Sequence, residues 1–203
     1  MTSTLYTIGH SRHDIQTFIG LLQRQGITAL ADVRSHPYSR HAPQYCHEAL
    51  KSALSQAGIG HVFLGKELGA RSRNPACYEN GKVQYPRLAR EPAFLEGIDR
   101  IYQGMSQYRI ALMCAEKDPI ACHRALLVAR VFHESGIEVL HIQAHGALET
   151  HHDLESRLLV LHQLSEGDQF RSRKECVAEA YRIQAERVAY RDETMLKPSD
   201  KTP

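Results

Sequence analysis

Five strand-sized apolar runs, separated by segments of helical period, constrain this chain more than any other feature. The runs are Leu5-Tyr6-Thr7-Ile8, Ile27-Thr28-Ala29-Leu30-Ala31, His61-Val62-Phe63-Leu64, Arg109-Ile110-Ala111-Leu112-Met113 and Glu138-Val139-Leu140-His141-Ile142. Residues 15–25, 43–57, 92–107 and 119–135 lie between them and carry apolar residues at helical spacing. Parallel neighbours need a crossover of a dozen or more residues, usually a helix, so this alternation predicts helices on both faces of a parallel sheet. The expected fold is one three-layer α/β domain over residues 1–164, with a mainly parallel five-stranded sheet. A further helix is expected over residues 154–164, then a linker at Ser165-Glu166-Gly167-Asp168. Residues 165–203 read as a helical extension with an apolar stripe at Val177, Tyr181 and Val188, and with residues 197–203 frayed. One stretch breaks the rhythm: residues 65–90 hold Gly65, Gly69, Pro75, Asn80, Gly81 and Pro86, and a loop that long in a compact domain is usually functional.

Composition narrows the function. The 203 residues carry 25 basic and 23 acidic side chains, a net charge of +2, with 42% hydrophobic residues. That is enough apolar content for a buried core, and too balanced a charge for a broadly cationic nucleic-acid binder. No stretch approaches the roughly 20 apolar residues of a membrane span, and the opening Met1-Thr2-Ser3-Thr4-Leu5-Tyr6 has no basic region followed by an apolar core. A cytoplasmic protein without a membrane partner is expected. Five cysteines, odd in number and without a CxxC pair, read as thiols in a reducing compartment.

Open parallel sheets bind ligands beyond the carboxyl ends of their strands. The polar residues fall on that rim. Gly9-His10-Ser11 follows the first run, and Asp32-Val33-Arg34 leads on to Ser39-Arg40 after the second. Gly65-Lys66-Glu67-Leu68-Gly69 follows the third run, and Cys114-Ala115-Glu116-Lys117-Asp118 the fourth, continuing to Cys122-His123-Arg124. With Asp118 as N-cap and Pro119 in the first helical position, Cys122, His123 and Arg124 are expected in the first two turns of a helix. In the leading reading Cys114 is nucleophile or thiol redox centre, His10 or Glu116 is the acid/base, and Asp32 orients His10 or Arg34. Arg34, Arg40 and Arg124 would take a small anionic, phosphate-bearing substrate, with Ser11, Ser39, Glu67, Cys122 and His123 around it. The plain alternative makes the two cysteines buried small hydrophobes and Asp32-Arg34 a structural ion pair. A second function class is a non-catalytic nucleotide or nucleic-acid module stacking bases on Tyr38, Tyr45, Tyr78 or Tyr85. A third is a thiol-redox or metal site at Cys114 and Cys122. Metal through His10, Cys114, Cys122 and His123 is set aside because neighbours on a helix point apart and no standard zinc spacing is present. The residues name no cofactor.

In combination, Tyr6-Thr7-Ile8-Gly9-His10-Ser11, Asp32-Val33-Arg34 with Pro37 and Ser39-Arg40, Leu64-Gly65 to Leu68-Gly69, and Ala111-Leu112-Met113-Cys114-Ala115-Glu116 to Pro119 and Cys122-His123-Arg124 closely resemble the domain of unknown function (DUF) 488 family. The resemblance spans about residues 5–152 and departs from the pattern at Tyr45, where Phe is expected, and at Ala70, where a second glycine is expected. It implies a single α/β domain with these polar residues around one pocket, and brings no agreed reaction. A more distant likeness, to rhodanese-like sulfurtransferases and cysteine phosphatases, is one of fold. Their compact anion loop does not carry over, because Cys114 and Arg124 are ten positions apart with Pro119 between them.

Overall fold

A computed structural model describes residues 4–195. The first run forms β1 (Thr4–Gly9), followed by α1 (Ile15–Arg24), β2 (Ala29–Asp32), α2 (His47–Gln56) and β3 (Gly60–Phe63). A small hairpin, β4 (Tyr78–Glu79) and β5 (Lys82–Val83), precedes α3 (Tyr85–Leu88) and α4 (Pro92–Met105). Then come β6 (Ile110–Cys114), a π-helical stretch Arg124–Ala129 running into α5 (Arg130–Glu134), β7 (Glu138–Ile142) and β8 (Leu148–Thr150). Helices α6 (His151–Leu161) and α7 (Arg173–Val188) complete the chain.

The main sheet has the order β3-β2-β6-β1-β7-β8, with all neighbours parallel except β7 and β8. It therefore has six strands where the sequence predicts five. The sixth, Leu148-Glu149-Thr150, is three residues long and pairs antiparallel at an edge, so it leaves almost no period to read. The helix expected from residue 154 starts at His151, with the Thr150 hydroxyl accepting from Asp153 N. Residues 65–90 are likewise more ordered than a long loop, since β4, β5 and α3 lie within them. The tail helix is present, fixed at its start by a reciprocal capping box between Ser172 and Glu175. Residues 197–203 lie outside the described residues.

Successive strand residues face opposite sides, which divides the interior in two. Tyr6, Ile8, Leu30, Ala111 and Met113 pack with Phe18, Leu22, Leu50 and Leu54 of α1 and α2. Leu5, Ala31, Ile110, Leu112 and Val139 pack with Phe94, Ile98, Leu126, Phe132, Leu158 and Tyr181 on the other face. The chain leaves β1 for β2 on one side and β6 for β7 on the other, so the crossovers diverge at the centre of the sheet. There Gly9 aligns with Cys114, and Asp32 with Met113. The three central strands thus end together, and their loops form one rim. Among the described residues no helix is long and apolar enough to cross a membrane.

Candidate functional site

The loop after β6 is built around Asp118, whose carboxylate accepts from Ile120 N and caps a single 3-10 turn, Pro119–Ala121. Cys122 is then extended, at φ −141° and ψ 137°, before His123 turns into the helix that starts at Arg124. Of the expected three, His123 and Arg124 lie at the helix start and Cys122 lies outside it. This corrects the directional argument against convergence: with Cys122 extended, neighbouring side chains need not diverge. Nδ1 of His123 is 3.8 Å from Cys114 Sγ and 3.9 Å from Cys122 Sγ. The three ligand-type atoms all lie within 4.8 Å of one another, and all three residues are buried. His123 Nε2 donates to the Val33 carbonyl at 3.0 Å, which turns the opposite ring nitrogen, Nδ1, toward the two sulfurs.

Glu116 completes the cluster, its Oε2 being 3.0 Å from Cys122 Sγ. Burial and the neighbouring Cys122 sulfur raise its pKa above the usual carboxylate range. Burial opposes ionisation of Cys122, yet the hydrogen bond with Cys114 and the charges of Arg124 and His123 outweigh it and hold this thiol well below its ordinary value. The hydrogen bond with Cys122, then burial, pushes Cys114 the other way. His123 is raised, because its hydrogen bond and attraction to Cys122 exceed the cost of burial. Of the two sulfurs Cys122 is therefore the more readily ionised, where the sequence points to Cys114.

Arg124 is completely buried, and among the described residues no carboxylate pairs with it. Its guanidinium donates to the carbonyls of Glu116 at 2.7 Å and Lys117 at 3.4 Å, and its backbone N–H to Cys122 Sγ at 3.4 Å. It shapes the loop and supplies positive charge; its two terminal nitrogens are committed to these carbonyls, while its buried Nε has no partner among the described residues. Arg34 is buried too. Its Nε and second terminal nitrogen clamp both Asp32 oxygens at 2.9 and 2.7 Å, and it also donates to the Tyr45 carbonyl at 2.8 Å. The remaining nitrogen donates to His10 Nε2 at 3.4 Å, while His10 Nδ1 donates to the Ser11 carbonyl at 3.0 Å. The His10 ring stacks on Tyr45 at 4.1 Å. Burial and Arg34 lower its pKa to about 4, so this imidazole is neutral near pH 7. Asp32 thus orients Arg34, which in turn faces His10.

A cavity of 270 Å³ opens above these groups. Arg34, Cys114, Glu116, Cys122 and His123 line it, and so do Ser35, Arg71, Tyr85, Val188 and Tyr190. His10, Ser11, Asp32, Ser39, Arg40, Glu67 and Arg124 do not. Ser39 accepts from His41 N and its own N–H reaches Cys46 Sγ; Glu67 pairs with Arg100 at 2.6 Å; Arg40 is exposed away from the cavity. Ser11 adopts φ 52° and donates its N–H to Ala115 O, holding the β1 loop beside the β6 loop. Of the stacking candidates, Tyr45, Tyr78 and Tyr85 are buried and Tyr38 alone is exposed, at 69%.

Two lining features escape the sequence reading. Arg71 follows the glycine-bounded turn and is exposed at the cavity edge, its guanidinium 4.3 Å from the centre of the Tyr190 ring. Tyr190 belongs to the segment after α7, which is held by Val83 N donating to Tyr190 O at 2.9 Å and Asp192 N to Gly81 O at 2.7 Å. Only the pairing of the tail with the β4-β5 hairpin brings it there, and no local signal carries that. A larger cavity of 600 Å³ lies between α3, the 124–134 helix and α7, lined by Leu126, Val131, Ala185 and charged rim residues and by none of the clustered cysteine or histidine residues.

No curated protein and no solved structure matches the chain. Residues 14–131 match the family described as Domain of unknown function DUF488, a span that takes in Asp32, Arg34, Arg71 and the whole 114–124 loop and leaves out His10, Ser11 and the tail. With more than half of its length matched, the chain belongs to the DUF488 family.

Proposed function

We propose that this protein is a cytoplasmic enzyme, a hydrolase or transferase, acting on a small anionic, phosphate-bearing substrate in the rim cavity. The carrying observation is that one cavity is lined by Arg34 and Arg71 and by the cluster of Cys114, Glu116, Cys122 and His123. Guanidinium forks suit phosphate oxygens, and a 270 Å³ cavity suits a small metabolite more than a polymer. Arg71 is the cation with capacity to spare, because Arg34 already serves Asp32 and Tyr45. Glu116, raised in pKa and facing the cavity, is placed to hand a proton to a departing oxygen and take one from the attacking group. The Cys/His cluster is the centre that activates the attacking group. Asp32 positions Arg34, and His10 packs behind it. In this reading the α/β domain, residues 1–164, carries the chemistry, and the extension, residues 165–203, supplies Val188 and Tyr190 to the cavity wall.

Phosphate release from a panel of phosphate monoesters and nucleotides tests the proposal. Glu116→Gln should lower kcat by about 10²–10⁴-fold with little change in KM. Arg71→Ala should chiefly raise KM. Absence of turnover across the panel, together with no stabilisation by any phosphate compound, would remove this reading.

A further inference from the structure

We infer that Cys114, Cys122 and His123 form a binding site for one divalent, borderline-soft metal ion of the zinc class, with an open coordination position facing the rim cavity. This goes beyond the substrate reading and rests on the geometry of the cluster alone. With metal–sulfur bonds of about 2.3 Å and metal–nitrogen bonds of about 2.0 Å, the sulfur–nitrogen edge of a tetrahedral site is about 3.5 Å. The observed edges, 3.8 and 3.9 Å, need to contract by only a few tenths of an ångström. Two sulfurs and one imidazole nitrogen are the donors that select such an ion over magnesium or calcium.

The second layer fits as well. His123 Nε2 donates to the Val33 carbonyl at 3.0 Å, the outer contact that metal-bound histidines usually make and the one that presents Nδ1 to the ion. Charge closes too. Two thiolates balance a divalent ion, and the buried Arg124 guanidinium, which has no carboxylate of its own among the described residues, adds positive charge beside them. Three protein ligands are the number found at catalytic zinc centres, where a fourth position is left for water or substrate. All three residues border the cavity, so that position opens onto it.

The spacing explains why the sequence conceals the site. Seven residues separate Cys114 from Cys122, and the third ligand is the next residue, an arrangement that works only because Cys122 is extended. The test uses the full chain, stripped of metal and titrated with Co²⁺. One equivalent should bind, producing sulfur-to-cobalt charge-transfer absorption in the near ultraviolet and the intense visible bands of a tetrahedral centre. Cys114→Ser and Cys122→Ser, each shown folded by circular dichroism, should weaken binding by at least tenfold and reduce the charge-transfer intensity. Cys46→Ser, outside the cluster, should bind as the parent does. Failure of the parent to bind, or binding indifferent to both serine variants, would overturn the inference. Phosphate stabilisation of the metal-free protein, measured in parallel, reports on the anion cavity separately, so either conclusion can fall alone.

Discussion

At Gly9 a β-carbon would sit 1.9 Å from the Glu116 carbonyl oxygen, and at Gly65 it would sit 1.9 Å from the Arg34 carbonyl oxygen. Gly9 lets the end of β1 approach the loop that carries the cluster, and Gly65, just past the edge strand β3, lets its loop approach Arg34. The Glu116 carbonyl is also the acceptor of the Arg124 guanidinium, so the contact at Gly9 belongs to the frame of the site. Gly9→Ala should therefore destabilise the fold by about 1–3 kcal/mol, read from the denaturant midpoint, since the obstacle is backbone and cannot swing away. An unchanged midpoint would show that the two loops are less tightly joined than described. Asp32 offers a second check. It is fully buried against a nearly buried Arg34, so Asp32→Asn leaves an uncompensated buried charge and should cost about 3–5 kcal/mol. A loss below about 1 kcal/mol would mean that water reaches Arg34.

Elements differ in how plainly the sequence announces them. Five parallel strands and their crossover helices are visible because each repeats its period over several residues. The positions of Cys114, Glu116 and Arg34 on one rim follow from that order alone. What stays hidden depends on single residues or on distant partners. Residues 119–135 read as one helix, yet Pro119 and the Asp118 cap favour a lone 3-10 turn, and the extended Cys122 after it turns two sulfurs toward one imidazole. Arg40 and Arg71 look equivalent in sequence; only the tail, laid against the β4-β5 hairpin, places Tyr190 beside Arg71 at the cavity edge. Tyr190→Ala should release the Arg71 side chain and weaken phosphate affinity severalfold while leaving the melting temperature within a few degrees. Unaltered affinity would assign Arg71 no part in anion binding.

Across the whole molecule a buried relay ties the sheet to the tail. The Thr7 hydroxyl meets His141 Nδ1 at 2.7 Å, His141 Nε2 meets His151 Nδ1 at 3.0 Å, and His151 Nε2 meets the Tyr181 hydroxyl at 2.8 Å. Tyr181 donates on to Glu155 at 3.3 Å. Donors then run in one direction from each imidazole to the next acceptor, so each ring carries a single proton. Burial, aided by neighbouring positive groups, holds His141 well below its ordinary value and His151 at about 3. A base whose pKa is lowered by folding contributes fully above its unfolded value of 6.5, and that contribution is lost as the pH falls toward the folded value. Stability should decline from pH 6.5 downward, and His151→Gln should flatten the decline in thermal-melt profiles. A slope unaffected by this substitution would place the acid sensitivity elsewhere.

The central claim is that the rim cavity receives a small anion beside the Cys114, Glu116, Cys122 and His123 cluster. Calorimetric titration of orthophosphate and small phosphate esters into the parent protein, Arg71→Ala and Glu116→Gln tests it most directly. The account predicts saturable binding by the parent, a loss of tenfold or more in Arg71→Ala, and retained binding in Glu116→Gln. Saturable binding that is the same in all three proteins, or no binding by the parent, would contradict it.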